Sequence, residues 1–290
     1  MKHLILTGAC YVDTILNVPY FPGEDDKLRA TAIQVRRGGN CPNSIEVLQQ
    51  LLSQHQRDET SNNAGPRTHL IAVLPACEAS ATTMIAESFG PPADVPAPNL
   101  DLCLYRSGHS TPASSYIIRS AATSSRTIVN YYGLPEMEAE EFQEAAGRFF
   151  TKYQSSEEDS SLWHFEGRIP ETTLACIKYL RSERKSSTGS GKDITVSVEV
   201  EKPGREGLRE LAAVANVVFF SKTWAENEGY DSAEACICGE GANLPDAALL
   251  FCTWGAQGAA ALSPSSGAFV VSCEALKVPA ENIVEYAPNR

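Results

Sequence analysis

The sequence predicts an α/β fold: a doubly wound, mostly parallel sheet carrying a small β-sheet lid. Three observations carry that expectation. Short apolar runs alternate with stretches of helical periodicity along the 290 residues. Several of these runs are almost continuously apolar, as strands covered on both faces are. Two regions break the alternation with consecutive strand-like segments and no crossover helix between them.

In order, "HLILTG" at 3 to 8 reads as a buried first strand, which Asp13 follows and closes. "LRATAIQVR" at 28 to 36 reads as a strand of the lid. "PNSIEVLQQLLSQ" at 42 to 54 reads as a helix, with Pro42 at the first helical position, where its missing N–H costs nothing. Ile45, Leu48, Leu51 and Leu52 share one face of it, opposite Glu46, Gln49 and Gln50. The polar stretch "QHQRDETSNNAGPRT" reads as a surface loop, "HLIAVL" at 69 to 74 as the next strand, and 79 to 89 as a helix.

"PASSYIIRS" and "SRTIVNYY", joined by a small polar turn, read as a hairpin. "EEFQEAAGRFFTKY" places Phe142, Ala145, Phe149 and Tyr153 on one helical face. "SLWHFEG" reads as a strand and "PETTLACIKYLRS" as a helix opened by Pro170. "DITVSVEV", "NVVFF" and "ALLFC" are three further strands. One domain spanning 1 to 290 is expected, with lid strands at roughly 14 to 37 and 103 to 132.

Composition narrows the class of partner. Hydrophobic residues make up 43% and charged residues 21%, ordinary for a globular chain. A formal net charge of -12 with no basic stripe argues against nucleic acid. Any polyanionic ligand would need local arginines, lysines or a metal ion. Nine scattered cysteines, with only Cys236 and Cys238 close together, fit reduced thiols better than a disulfide or zinc framework. The apolar run after Met1 is too short for a signal peptide, and no run approaches a membrane span, so a soluble, cytoplasmic protein is expected.

The stretch "RRGGNCPNS", 36 to 44, is the most informative motif. Gly38 and Gly39 permit positive φ or close approach to bare backbone. Asn40 and Asn43 lie one turn apart at a helix start, so their amides can project toward one point. Amides both donate and accept, which suits hydroxyl groups better than charges. Asp13 could accept two hydroxyl hydrogen bonds at the end of its strand, where ligands of such sheets gather. A turn with a capping asparagine accounts for the same residues equally well.

"TGSGKD", 188 to 193, fails as a phosphate-binding P-loop at both ends and reads as a linker. "TWGAQG" sets Thr253, Gly255 and Gly258 after an apolar strand, a place for nucleotide phosphates against backbone N–H groups. The five histidines show no ligand spacing and no triad partner. A dinucleotide oxidoreductase would need G-x-G-x-x-G after the first strand, where "LTGACYVD" stands.

Together "RRGGNCPNS", "SRTIVNYY", "HFEGR", "VSVEVEKP", "VVFFSK" and "TWGAQG", in that order, resemble the ribokinase-like (PfkB) sugar kinases, and the ketohexokinases within them. The resemblance implies an ATP-dependent kinase of a ketohexose such as fructose. It implies that Asp13, Gly39, Asn40 and Asn43 hold the hydroxyls of a furanose. It further implies that Arg126 reaches the transferring phosphate, that Lys222 approaches ATP, and that Thr253, Gly255 and Gly258 line the nucleotide site. Magnesium would accompany ATP, with ligands left unspecified because Lys222-Thr-Trp-Ala225 stands where many members carry N-x-x-E. Lid strands that pair between subunits would make a homodimer.

One departure matters. The family's Gly-Ala-Gly-Asp motif, whose Asp serves as catalytic base, occurs nowhere in these residues. Glu285, in "VPAENIVEYAPNR", lacks the glycines and is not a substitute. The resemblance therefore implies no catalytic residue here, missing C-terminal helices, open apolar surface near the last strands, and impaired turnover. The alternative expectation is a catalytically inactive sugar- or nucleotide-binding protein.

Overall fold

The computed structural model describes residues 2–58, 65–90, 96–153, 159–186, 193–244, 249–263 and 269–275. It is α/β, with mostly parallel main-sheet strands, helices between them and a small separate sheet, as the alternation of apolar runs requires. The chain divides into two compact units, Met1–Ser161 and Leu162–Arg290.

In the first unit, β1 (Lys2–Thr7) pairs in parallel with β4 (Arg67–Ile71). A four-stranded sheet stands apart from them, in the order β3 (Ala32–Gly38), β2 (Tyr11–Val18), β7 (Ser114–Ser120), β8 (Arg126–Tyr131). Its β2–β7 pair is parallel, and the β2–β3 and β7–β8 pairs are antiparallel. The expected hairpin of "PASSYIIRS" and "SRTIVNYY" is therefore present. The sheet carries exposed Ile33, Val35, Tyr116, Val129 and Tyr131, an apolar surface on strands of high β-propensity.

Three element boundaries are corrected in this unit. Asp13 does not close the first strand: β1 stops at Thr7, and Asp13 lies inside β2 of the small sheet. The run at 69 to 74 is two strands rather than one. β4 ends at Ile71, and β5 (Val73–Pro75) leaves to pair with β6 (Leu104–Arg106). Finally, α1 (Asn40–Asp58) starts earlier and runs further than the periodicity suggested. Pro42 is tolerated as its third residue, since first-turn N–H groups have no partner within the helix.

The buried face of α1 is also rotated from the one expected. Cys41, Ile45, Gln49 and Ser53 are buried at i, i+4 spacing, while Leu51 is 63% exposed. Gln49 can occupy the core side because its amide donates to the Pro96 carbonyl at 3.2 Å. The surrounding core comprises Leu6, Cys10, Cys41, Ile45, Leu70, Leu74, Ile85 and Phe89, the last just beyond α2 (Ser80–Glu87). On α3 (Ala139–Tyr153), Phe142, Ala145 and Phe149 are buried as their spacing requires. Each phenylalanine contributes about 1.5–3 kcal/mol by burial.

The second unit takes up β9 (Ser160–Phe165) from residue 162 onward, then α4 (Pro170–Ser186) and β10 (Asp193–Val200). There follow α5 (Leu208–Val214), β11 (Val217–Phe220), α6 (Lys222–Asn227), α7 (Ala233–Gly241) and β12 (Leu249–Thr253). β10, β11 and β12 are parallel neighbours, and β13 (Ala259–Ser263) and β14 (Phe269–Cys273) extend the sheet antiparallel. Helices α4, α5 and α7 pack on these strands. Val196, Val198, Val218, Phe220, Leu250, Cys252 and Leu262 form a fully buried row. The alternating residues point the other way and are buried less evenly: Ser197 is 1% exposed, while Phe219, stacked on Phe251 at 5.0 Å, is 36% exposed and Val271 51%. The P-loop-like "TGSGKD" up to Lys192, and Glu285 with the segment around it, lie outside the described residues.

Candidate functional site

The first unit gathers most of the expected hydroxyl-binding residues. Pleat alternation in β2 turns Asp13 inward, and only 8% of the residue is exposed. Across the sheet it sits opposite Arg36 of β3 and Ser115 of β7. The Arg36 Nε lies 4.0 Å from Asp13 Oδ2. Burial raises the Asp13 carboxyl above its ordinary value, against the pull of a hydrogen bond from Ser115 and the charges of Arg36 and Arg37.

Both glycines are required by what surrounds them. A Cβ on Gly38 would fall 2.6 Å from Asp13 Cγ, so only a glycine lets the carboxylate lie against the backbone. Gly39 has φ +106, and a Cβ there would press on the Ala9 carbonyl, 3.2 Å from its carbon. Gly39 also begins the helix, its carbonyl accepting the Asn43 N–H at 3.0 Å.

Asn40 opens α1, half-buried beside Gly39. Asn43, one turn on, accepts from Arg37 Nη1 at 3.3 Å. Asp13 lies against Gly38, and Asn43 bonds both Gly39 and Arg37, so the acid and the amide flank the same bare backbone. Cys10 shares their surroundings, but burial pushes its thiol up to about 12, an inert neighbour. The arrangement offers carboxylate acceptors, an amide and unobstructed backbone, the complement a polyol needs.

Arg126 does not join this cluster. It opens β8 opposite Arg119, which is level with Asn17, four positions along β2 from Asp13. That is about 13 Å along the strands. Sequence reasoning also missed two residues, Ser115 and Arg37. Only Arg37 left a signal, the doubled arginine before the glycines.

The second unit brings the other expected residues together. Ser221 caps α6, its Oγ accepting the Trp224 N–H at 3.1 Å and donating to the Glu201 carbonyl at 2.8 Å. Lys222 follows at the helix start, its Nζ 5.6 Å from the Trp254 ring centroid and 3.5 Å from Glu226. Residues 254 to 258 connect β12 to β13. Trp254 N–H donates to the Gly258 carbonyl at 2.7 Å, and Gly258 N–H to the Gly255 carbonyl at 3.0 Å. Gly255 has φ +60 and Gly258 φ +96, with Cys273 packed where a Gly258 side chain would go. Thr253 is exposed at the strand end. An exposed ammonium beside a glycine turn suits a nucleotide polyphosphate. Among the described residues no group of three or more His, Cys, Asp or Glu is placed to hold a metal ion.

Comparison with known proteins bears on the fold and on relatedness. The chain is 29% identical over 265 residues to ketohexokinase from Mus musculus, covering 91% of this chain and 78% of that protein. No protein-family model matches. Solved structures share the fold at low identity. Ribokinase from Giardia lamblia aligns with a TM-score of 0.68 at 13% identity, covering 94% of this chain and 80% of that one. Arabidopsis thaliana ribokinase, complexed with ribose and ATP, aligns at 0.60 and 14%, covering 94% and 77%. The nucleoside kinase of Methanocaldococcus jannaschii aligns at 0.61 and 15%, covering 96% and 78%.

Proposed function

We propose that this chain, a homologue of ketohexokinase with the fold of the ribokinases, is an ATP-dependent carbohydrate kinase acting on a ketohexose such as fructose. The buried Asp13 against Gly38, with Asn43 one helical turn beyond Gly39, carries the reading. In it, Asp13 accepts hydrogen bonds from sugar hydroxyls, Asn40 and Asn43 hydrogen-bond further hydroxyls, and Gly38 and Gly39 keep that side clear. Lys222 and the Thr253–Gly258 turn hold ATP. Magnesium bound with ATP supplies charge neutralisation on the phosphates, and the nucleotide itself provides most of its ligands. A homodimer through the small sheet fits the exposed Ile33, Val35, Val129 and Tyr131.

A second reading, binding without turnover, is favoured by one observation: no Gly-Ala-Gly-Asp occurs among the 290 residues. A general base typically contributes roughly 10²–10⁴-fold. We therefore expect residues 1–290 on their own to bind fructose while releasing ADP slowly. Calorimetry with fructose, run beside a coupled ADP-release assay, separates the cases. Fructose binding with turnover supports the kinase, and binding alone supports the second reading. No binding of fructose refutes both.

A further inference from the structure

Arg37 precedes the two glycines and takes no direct part in the proposed sugar site, yet it is 4% exposed. A buried guanidinium needs partners, and here each of its three nitrogens has one. Its Nε donates to Ser88 Oγ at 2.9 Å, Nη1 to Asn43 Oδ1 at 3.3 Å, and Nη2 to the Glu46 carboxylate. Its plane lies over the Phe89 ring, 4.2 Å from the centroid. Ser88 is itself fixed, donating to the Ile85 carbonyl at 2.6 Å. The guanidinium is thus pinned between α1, which supplies Asn43 and Glu46, and the residues just after α2, which supply Ser88 and Phe89.

A guanidinium has donors only, so the Asn43 atom facing it is the carbonyl oxygen. That leaves the Asn43 Nδ2 hydrogens as the group directed away from Arg37. We propose that Arg37 is a positioning residue that locks the Asn43 amide so that it offers the sugar a donor and never an acceptor. This deepens the sugar-site reading and rests on it. Asp13, as a carboxylate, offers acceptors only. The two side chains then impose opposite demands on the ligand: a hydroxyl proton toward Asp13, an oxygen lone pair toward Asn43.

Substituting Asn43→Asp tests the polarity. Asp keeps the shape and the acceptor for Arg37, and removes the donor. The test uses the full chain, with fructose as the calorimetric probe and the unfolding temperature as control. N43D is expected to weaken fructose binding about tenfold or more without lowering the unfolding temperature, consistent with loss of one hydrogen bond and a carboxylate facing the sugar oxygen. R37K, which cannot reproduce the fork to all three acceptors, is expected to weaken binding about fivefold. In an N43A background, R37K should cause no further loss of binding while lowering the unfolding temperature by the same amount as before.

Disappearance of the R37K binding effect in that background is something a purely structural role would not produce. N43D binding fructose as well as wild type, or R37K weakening it equally with and without Asn43, overturns the positioning role alone. If N43A itself leaves fructose affinity unchanged, the sugar-site reading falls and the positioning role with it.

Discussion

Lowering the pH from 7.5 to 5 should cost this protein about 2 kcal/mol of stability through one buried histidine pair. His3 Nδ1 and His69 Nε2 are 3.0 Å apart across the β1–β4 pair, and the residues are 3% and 1% exposed. Phe149 meets both rings edge-on, and Tyr153 packs beside them. Burial, His3 and the charges of Arg67 and Lys152 lower His69 to about 4 from its ordinary 6.5, with Asp101 opposing. Burial also lowers His3, against Asp159.

The folded state therefore refuses a proton that the unfolded chain accepts below pH 6.5. Stability is full above that pH and is lost as pH falls toward 4, where the folded ring also protonates. With 1.36 kcal/mol per pKa unit, the loss from His69 reaches about 2 kcal/mol at pH 5 and about 3 kcal/mol at pH 4. Urea unfolding at pH 7.5 and 5, on wild type and on H3F/H69F, reads it directly. The double variant should lose less stability on acidification by about that amount. A folded-state His69 titration near 6.5 by NMR, or equal acid losses in the two proteins, would refute the reasoning.

Three further outcomes are expected. Gly38→Ala drives a methyl into the Asp13 carboxylate and should weaken fructose binding at least fivefold in calorimetry, with a smaller effect on stability. Gly39→Ala combines φ +106 with a clash at the Ala9 carbonyl, and should destabilise by about 2 kcal/mol or more in chemical unfolding. Gly258→Ala, at φ +96 with the Cys273 backbone where its methyl would go, should be at least as costly, and a thermal melt within a degree of wild type would contradict it.

What the sequence disclosed and what it hid have physical reasons. The α3 face was legible because Phe142, Ala145 and Phe149 are apolar, helically spaced and buried by one another's neighbours. The α1 face was not, because the burial of Gln49 depends on a carbonyl at Pro96, distant in sequence. Asp13 was legible as a candidate acid, but its strand was not. The break between β1 and β2 falls in "GAC", which carries no strong turn signal. The glycine pair was flagged by composition; which atoms forbid a side chain there is a matter of Asp13 and Ala9 approaching in three dimensions. Arg37 stood in the motif as one of two arginines with no role assigned and proved buried, because Ser88, Glu46 and Phe89 converge on it. The His3–His69 pair likewise depends on two strands meeting, which no local pattern encodes.

The central claim is that Asp13 receives sugar hydroxyls, and calorimetry of fructose with wild type and Asp13→Asn tests it most directly. Hydrogen bonds to a charged group are worth about 1.5–3 kcal/mol, so the account expects wild type to bind and D13N to bind roughly 10- to 100-fold more weakly, with the fold intact. Equal affinity in the two proteins would contradict it.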